Sequence, residues 1–151
     1  MTKLAKSLKF EGERILTKQS KLYLLALVFA LLALTPAFAA QQAADIVDRA
    51  NGLYRDGRFK QAVILYRKAL ERGADPVAVS FNIANSYYQM EKYAEAAASY
   101  RKAVDFSSGK FAPALFNMAS VYYRLKQYPE CVAAYHRALK LEPENVSAWL
   151  F

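Results

Sequence analysis

The sequence is poor in the residues that build disulfide, metal and nucleotide sites. Its 151 residues include one cysteine, one histidine and five glycines. A single cysteine cannot form an intramolecular disulfide, and a single histidine cannot offer a His–His pair to a metal. The glycines are scattered through the chain, so there is no Gly-rich phosphate-binding loop. These shortages exclude a disulfide framework and weigh against nucleotide and metal sites.

The lone cysteine and the lone histidine do not form a catalytic pair. Cys131 and His136 are five residues apart, which places them about 140° apart around a helix. Cys131 falls on an apolar stripe, so we interpret it as a small core residue. The alternative is an intermolecular disulfide, which requires an exposed thiol. We therefore expect no enzymatic activity, no cofactor and no bound metal.

The formal charge of +8 raises the question of nucleic-acid binding. Residues 1–39 carry six Lys or Arg and two Glu, and the remaining positive charge is spread among interspersed acids. Such a mixture is typical of solvated helix surfaces rather than a basic binding face. Nucleic acid is therefore not expected as a partner.

The basic lead of residues 1–21 precedes an apolar run over residues 22–34. Residues 37–39, Ala-Phe-Ala, then give the small-x-small spacing of a cleavage site. This order predicts a secretory signal peptide, with Pro36 expected to break the helix before the cleavage site. Cleavage after Ala39 is favoured. Because no cysteine lies near that site, a lipoprotein anchor is excluded.

An uncleaved signal anchor is the alternative for this leader. The 13 apolar residues of 22–34 span about 20 Å as a helix, short of the roughly 30 Å of membrane hydrocarbon. Extending the helix to Ala40 gives about 28 Å, enough to engage the membrane. In either case the sequence predicts export to a bacterial cell envelope. The following domain would be periplasmic, free or anchored to the inner membrane.

After the leader, small and aromatic residues return in one order three times. The steps are 34 and then 35 residues, which is the sign of a stacked repeat. Within one copy, the apolar positions from Tyr93 to Val104 follow a helical period. Asp56-Gly57-Arg58 and Met90-Glu91-Lys92 allow only tight reversals, so each copy is predicted to be a helical hairpin. The repeated series are Ala50, Ala84 and Ala119; Phe59, Tyr93 and Tyr128; Ala62, Ala96 and Cys131; Tyr66, Tyr100 and Tyr135; and Ala69, Ala103 and Ala138.

The pattern resembles the tetratricopeptide repeat (TPR) family. Tyr-x-x-Ala-x-x-x-Tyr-x-x-Ala over residues 93–103 matches the family's second-helix signature, and Ala84 with Tyr87 matches the first. The resemblance implies an all-α, right-handed TPR solenoid. We expect the domain to cover residues 40–151, with repeats at about 43–76, 77–110 and 112–145 and a partial fourth at 146–151.

Three positions depart from the repeat. Arg49 stands where the other copies have Ile83 and Met118, Leu53 replaces a tyrosine, and Cys131 replaces an alanine. The first two indicate an edge repeat. Proline is expected at the starts of helices, at Pro76 after an Asp75 cap, and again at Pro113 and Pro129; Gly57 is expected to have a positive φ.

The resemblance implies a concave binding face lined by the first helix of each repeat. Amides there can hold an extended peptide backbone, tyrosines add apolar contact area, and the arginines can each hold a carboxylate. Phe81 and Phe116 also project toward this face, although they have an equal claim on the core. The alternative is that Tyr54, Tyr88 and Tyr123 only pack between neighbouring first helices. The predicted groove residues are Asn51, Tyr54, Arg55, Asn82, Asn85, Tyr88, Gln89, Asn117, Ser120, Tyr123 and Arg124.

These residues predict a non-enzymatic scaffold that binds a protein or peptide of unknown identity. Alanine at both Asn85 and Tyr88 is expected to remove binding and leave folding largely intact. Some family members grip an acidic chaperone tail with a clamp that begins with lysine, but here that position is Val47. A self-assembling module that stacks through residues 146–151 is the alternative function.

Overall fold

Six α-helices follow one another between Lys3 and Leu141. The computed structural model describes the backbone of residues 3–144 and the side chains of residues 18–30 and 37–144. Within that part of the chain there is no strand, so the protein is all-α as the sequence predicts. The helices are α1 (Lys3–Arg55), α2 (Phe59–Glu71), α3 (Pro76–Gln89), α4 (Tyr93–Phe106), α5 (Ala112–Arg124) and α6 (Tyr128–Leu141).

The chain divides into two units, Met1–Ala39 and Ala40–Phe151. In the first unit, the backbone is helical across Pro36, so the helix break predicted there is wrong. The φ angle of proline is itself compatible with a helix, which can accept the residue at the expense of one backbone hydrogen bond. Leu22, Leu24 and Phe29 are exposed. No helix among the described residues meets the length and apolarity needed to cross a membrane.

In the second unit, the helices pair as three hairpins. The last part of α1 pairs with α2 as repeat one, α3 with α4 as repeat two, and α5 with α6 as repeat three. The helices α3 and α5 begin at Pro76 and Ala112, whereas α1 runs from Lys3 into repeat one and does not begin near residue 43. Repeats stack because α2 packs on α3 and α4 packs on α5. The proposed fourth repeat at 146–151 lies outside the described residues.

Alanines allow the helices of each hairpin to approach closely. Ala50, Ala84 and Ala119 are fully buried on the first helices, and Ala62 and Ala96 face them from the second helices. Small side chains shorten the distance between helix axes, and neighbouring tyrosines fill the remaining space. The buried residues form two clusters, one between repeats one and two and one across repeats two and three, and Tyr87 packs against both.

Each junction between repeats also carries an arginine–tyrosine hydrogen bond. Arg67 on α2 donates to the Tyr87 hydroxyl at 2.9 Å, and Arg101 on α4 donates to the Tyr122 hydroxyl at 2.8 Å. Arginine has five donors in a rigid fork, which suits it to fix the register between two packed helices. These bonds explain why Tyr87 and Tyr122 are tyrosines. Leu53 takes the same position in repeat one, and among the described repeats none precedes it that could supply an arginine.

Reversals between helices use the left-handed backbone region. Gly57 has φ of 73° as predicted, and the equivalent positions in the other hairpins are Glu91 at 58° and Lys126 at 60°. Asp75 caps α3 by accepting hydrogen bonds from the backbone N–H groups of Val77 and Ala78 at 3.0 and 3.3 Å. Pro76, Pro113 and Pro129 lie in the first turns of α3, α5 and α6, as the sequence predicts.

The outer faces of repeat one and repeat three differ in polarity. Repeat two stacks on repeat one through Val79, Ile83, Tyr87 and Met90, which pack into the core. We call the equivalent face of repeat one the leading edge; it consists of Asp45, Arg49, Leu53 and Asp56, three of them charged and exposed. On repeat three the opposite face, the trailing edge, keeps the apolar residues Val132 and Leu139, and Val132 is 55% exposed.

Candidate functional site

A groove runs across all three repeats and consists of three adjoining clefts. The first cleft, of about 160 Å³, lies between repeats one and two. The middle cleft, of about 250 Å³, shares Tyr54 and Asn85 with it. The third, of about 460 Å³, shares Tyr88 and Ser120 with the middle cleft. We call the third one the tyrosine cleft; it is lined by Tyr88, Ser120, Tyr123, Arg124, Tyr128, Cys131, Val132 and Tyr135.

The structure brings all the predicted groove residues to this one surface. The first cleft is lined by Asn51, Tyr54, Arg55, Asn82 and Asn85. The middle cleft adds Tyr88, Gln89, Asn117 and Ser120, and the tyrosine cleft adds Tyr123 and Arg124. Whether these residues bind a partner stays a prediction, but their placement in one continuous groove follows from the repeat register.

Sequence reasoning missed the contribution of the second helices. Tyr66 and Tyr100 close the floor of the first and middle clefts, and Tyr128, Val132 and Tyr135 line the tyrosine cleft. A signal for the floor was present in the sequence. Asn51, Asn85 and Ser120 each precede a repeat tyrosine by fifteen residues, the separation that a helical hairpin brings together.

These fifteen-residue pairs are hydrogen-bonded. The Tyr66 hydroxyl donates to Asn51 Oδ1 at 2.6 Å, and the Tyr100 hydroxyl donates to Asn85 Oδ1 at 2.5 Å. In repeat three, the hydroxyls of Ser120 and Tyr135 lie 3.4 Å apart. Because Tyr66 and Tyr100 are buried, each needs a partner for its hydroxyl, and the groove residue of the first helix supplies it.

The asparagines also connect neighbouring repeats. Asn82 Nδ2 approaches Asn51 Oδ1 at 3.5 Å. One repeat later, Asn117 Nδ2 donates to Asn85 Oδ1 and to the Tyr100 hydroxyl, both at 3.3 Å. We call this set of Asn–Tyr and Asn–Asn contacts the floor network. The carbonyl oxygens of Asn51 and Asn85 are therefore already engaged inside the protein.

Burial keeps the floor tyrosines neutral. Desolvation raises the pKa of Tyr66 to about 12, with a smaller contribution from Tyr54 in the same direction. Desolvation also raises the pKa of Tyr100. A charged phenolate is disfavoured in a buried site, so both hydroxyls remain hydrogen-bond donors through the physiological range.

Tyrosines at the groove's rim pack edge-on against the aromatic residue that opens the next helix. The ring centroids are 5.3 Å apart for Tyr54 and Phe59, 5.6 Å for Tyr88 and Tyr93, and 5.9 Å for Tyr123 and Tyr128. Edge-to-face contacts of this kind fix ring orientation. These ring contacts lie within each hairpin and not between neighbouring first helices, where the alternative interpretation placed the packing, and each of the three tyrosines also lines the groove.

The two phenylalanines considered for the groove belong to the core instead. Phe81 packs on Tyr100 and Phe111 at centroid distances of 5.6 and 5.3 Å. Phe116 packs on Tyr135 at 6.3 Å. Both are half-buried against the core cluster of repeats two and three. Without a polar atom to present, each is more stable beneath the groove than on its surface.

Arg55 and Arg124 place positive charge along the groove, and both are exposed. Interaction with the neighbouring Tyr88 hydroxyl raises the pKa of Arg124, which stays positively charged. Among the described residues that line the three clefts, none is acidic. The groove therefore carries a net positive charge that its own side chains do not neutralise.

The two reactive side chains singled out in the sequence, Cys131 and His136, both lie on α6. Cys131 is 7% exposed, and burial raises the pKa of its thiol, as fits the interpretation of a small core residue. His136 is exposed on α6. Over the described part of the chain, no group of three His, Cys, Asp or Glu residues is arranged to hold a metal.

Stacked helical hairpins that pack on their neighbours and line one groove define a helical-repeat solenoid. The chain belongs to the tetratricopeptide-repeat family: two family models, each described as tetratricopeptide repeat, match residues 47–111 and 112–145. The boundary between the matches falls where α5 begins. No curated protein sequence matches the chain.

Solved structures with the same fold come from several sources. The first TPR of Spaghetti (RPAP3), bound to the HSP90 peptide SRMEEVD, is 24% identical with a TM-score of 0.67; the match covers 73% of this chain and 86% of that one. The Arabidopsis OM64 TPR domain is 21% identical over 74% and 92% of the two chains, with a TM-score of 0.67. MamA is 12% identical over 71% and 62%, with a TM-score of 0.66.

Proposed function

We propose that this protein is a non-enzymatic interaction scaffold that binds an extended segment of a partner protein in the three-repeat groove. The observation that carries the proposal is the continuity of the three clefts, which together suit a strand of peptide better than a small molecule. Tyrosines and arginines, both frequent at binding hot spots, line it. Similar TPR domains were solved with the HSP90 peptide SRMEEVD and the HSP70 peptide SGPTIEEVD.

We also propose that the scaffold acts in a bacterial cell envelope. The support is the leader, in which a basic segment, an apolar run and Ala37-Phe38-Ala39 follow the order of a secretory signal. Residues 1–39 would direct export, either as a cleaved peptide or as an anchor. The repeats over residues 40–151 would then meet their partner in the periplasm.

Site-specific photocrosslinking in the full-length chain tests the groove. A photoreactive residue replaces Gln89, which is exposed in the middle cleft. The matched control places it at Lys102, which is exposed outside the groove. We expect a discrete crosslinked partner from position 89 and none from position 102, because only the first position faces a bound segment.

A second variant separates specific binding from chance contact. Tyr88→Ala in the position-89 protein removes apolar area shared by the middle and tyrosine clefts, so the crosslink should weaken. Equal crosslinking from positions 89 and 102 would contradict the proposal. Crosslinking of the chain only to itself would favour the self-assembling module instead.

A further inference from the structure

The tyrosine cleft differs from the rest of the groove in its chemistry. Its volume of about 460 Å³ is within the range of sites that enclose a ligand group, and its lining is mostly aromatic and aliphatic. Tyr123, Tyr128 and Val132 are 58%, 54% and 55% exposed. Exposed apolar side chains that converge on one cleft are typical of an anchor site for a partner's side chain.

The floor network limits what the amides can do for a ligand. Asn85 Oδ1 already accepts from the Tyr100 hydroxyl and from Asn117 Nδ2, and Asn51 Oδ1 accepts from Tyr66. An oxygen with two donors in place has no lone pair left for an incoming N–H. The carbonyl oxygens of Asn51 and Asn85 are therefore occupied, and what these side chains can still offer a ligand is their Nδ2 donors, which suit a peptide carbonyl of any sequence. Selectivity for a partner's side chains therefore falls to the rim and the tyrosine cleft.

Arg124 is the cation of the tyrosine cleft. It is exposed at the end of α5 and lines the cleft together with Tyr88. A tyrosine hydroxyl carries no charge at neutral pH, so this neighbour leaves the charge of Arg124 unneutralised. None of the described side chains that line this cleft is acidic. Charge complementarity thus calls for a carboxylate beside the apolar anchor.

We infer that the tyrosine cleft selects a partner segment in which an aromatic or branched aliphatic side chain lies next to an aspartate or glutamate. The apolar side chain would fill the cleft between Tyr123 and Val132, and its acidic neighbour would pair with Arg124. Because the groove continues past the cleft along two further repeats, the segment can be internal to its protein. The inference rests on the proposed function and deepens it.

Selection from a library of short random peptides tests this with the full-length chain. The peptides are acetylated and amidated, so that neither terminus carries charge and only a side-chain carboxylate can pair with Arg124. We expect enriched peptides to place Asp or Glu beside an aromatic or branched aliphatic residue. Changing that acid to its amide should weaken binding about fivefold, the upper range for an exposed ion pair.

Two variants assign the preference to the cleft. With Arg124→Gln, acid and amide peptides should bind equally, because the paired charge is gone. Arg101→Gln is the control: it removes an arginine that donates to Tyr122 and lies outside the groove lining. In this variant, the fivefold ratio between binding of acid and amide peptides should persist. Tyr123→Ala should reduce the apolar preference and keep the acidic one.

The outcomes separate this inference from the proposed function. If no peptide is enriched, both are wrong. If peptides bind without the acidic–apolar pairing, or if Arg124→Gln keeps the ratio, only the inference is wrong. If a second copy of this chain occupies the tyrosine cleft, the protein should dimerise without peptide, and Val132→Asp should abolish the dimer. If residues 145–151 of this chain occupy the cleft, their deletion should tighten peptide binding. Either result would also overturn it.

Discussion

At the scale of single residues, Asn85 combines two functions in one side chain. It lines the middle cleft, and its carbonyl oxygen accepts hydrogen bonds from the Tyr100 hydroxyl and from Asn117. Tyr100 is 2% exposed, so its hydroxyl has no water to replace a lost acceptor. The expectation that alanine at Asn85 leaves folding largely intact is therefore revised.

Asn85→Ala should lower the free energy of unfolding by about 1–3 kcal/mol, the usual cost of a buried donor left unsatisfied. Urea denaturation of the full-length chain measures this. Gln89→Ala, one turn later on the same helix and exposed, should change stability little. Adding Tyr100→Phe to Asn85→Ala should recover part of the loss, and strict additivity of the two substitutions would contradict the floor network.

The floor tyrosines also make stability sensitive to alkaline pH. Because the pKa of Tyr66 is about 12 in the folded protein and about 10 in the unfolded chain, folding favours the protonated form. The associated stability is complete below pH about 10 and is lost as the pH rises toward about 12. Burial shifts Tyr100 in the same direction.

We expect the free energy of unfolding to fall by at least about 1 kcal/mol between pH about 9 and pH about 11. Urea titrations at the two pH values check this. Tyr66→Phe should be less stable at the lower pH, because a hydrogen bond is lost, but should show a smaller decrease with pH. A decrease as large as that of the unsubstituted protein would show that Tyr66 does not titrate as its burial requires.

The sequence was enough to predict which first-helix residues line the groove, whereas the hydrogen bonds beneath the groove were not predicted from it. The repeat register places Asn51, Asn85 and Tyr88 on the first helices, and the structure brings them to one groove. The partner of each floor tyrosine depends on how far the two helices of a hairpin are rotated about their axes. Apolar periodicity fixes that rotation only to within about one residue's angular step, 100°.

At the scale of elements, the tight reversals are the least favourable parts of the hairpins. Glu91 and Lys126 adopt φ of 58° and 60°, where an L side chain crowds the backbone, while repeat one uses glycine at the same position. The sequence predicts each reversal from its short length and from Gly57. It gives no reason for glutamate or lysine there, and the structure supplies none either.

Glu91→Gly or Lys126→Gly should each raise the free energy of unfolding by about 1 kcal/mol, the strain relieved less the added flexibility of the unfolded chain. Thermal unfolding measures the gain. Gly57→Ala should produce a loss of similar size. Lys92→Gly is the matched control, since φ of Lys92 is −85° and no strain is relieved there; an equal gain at Lys92 would contradict the argument.

The close approach of the helices in each hairpin depends on alanine. Ala96 is fully buried on α4, opposite Ala84 in the same core cluster. Ala96→Leu should lower the free energy of unfolding by about 1–3 kcal/mol through overpacking. Ala94→Leu, two residues earlier and exposed, should be tolerated. Equal stabilities in a denaturant titration would show that the helix register is wrong.

Element boundaries were predictable because their signals are local. Pro76 after Asp75, the positive φ of Gly57 and the proline positions of α5 and α6 follow from backbone chemistry within a few residues. Pro36 shows the limit of such reasoning. A proline lowers helix stability by a few kcal/mol, and a long helix on both sides of it can outweigh that amount.

At the scale of the whole molecule, the two edges of the repeat stack are not complementary. Head-to-tail association would bring the trailing edge, with Val132, against the leading edge, with Asp45, Arg49 and Asp56. Burial of those charges against apolar side chains is unfavourable unless each is paired. Charged terminal faces of this kind keep solenoids soluble. Stacking through the leading edge is therefore disfavoured, and the groove is the better candidate for interaction.

Making the leading edge apolar should remove this protection. The double variant Asp45→Val and Arg49→Ile introduces the residues that stand at the equivalent positions of repeat two, Val79 and Ile83, and leaves the net charge unchanged. We expect this variant to associate at concentrations where the original chain does not. Sedimentation velocity measures this. Lys102→Ile with Asp105→Val is the matched control, because both residues are exposed on α4. Equal association of the original chain and the leading-edge variant would show that the charges of the leading edge do not prevent stacking.

The floor network has a consequence for how such a groove can change over evolutionary time. Every floor amide contacts a tyrosine of its own repeat or an amide of a neighbouring repeat, so a substitution there disturbs folding before it alters recognition. The rim residues are exposed and take no part in the floor network; they are Gln89, Tyr123 and Arg124. A lineage that acquires a new partner is therefore expected to diverge at the rim while the floor stays the same.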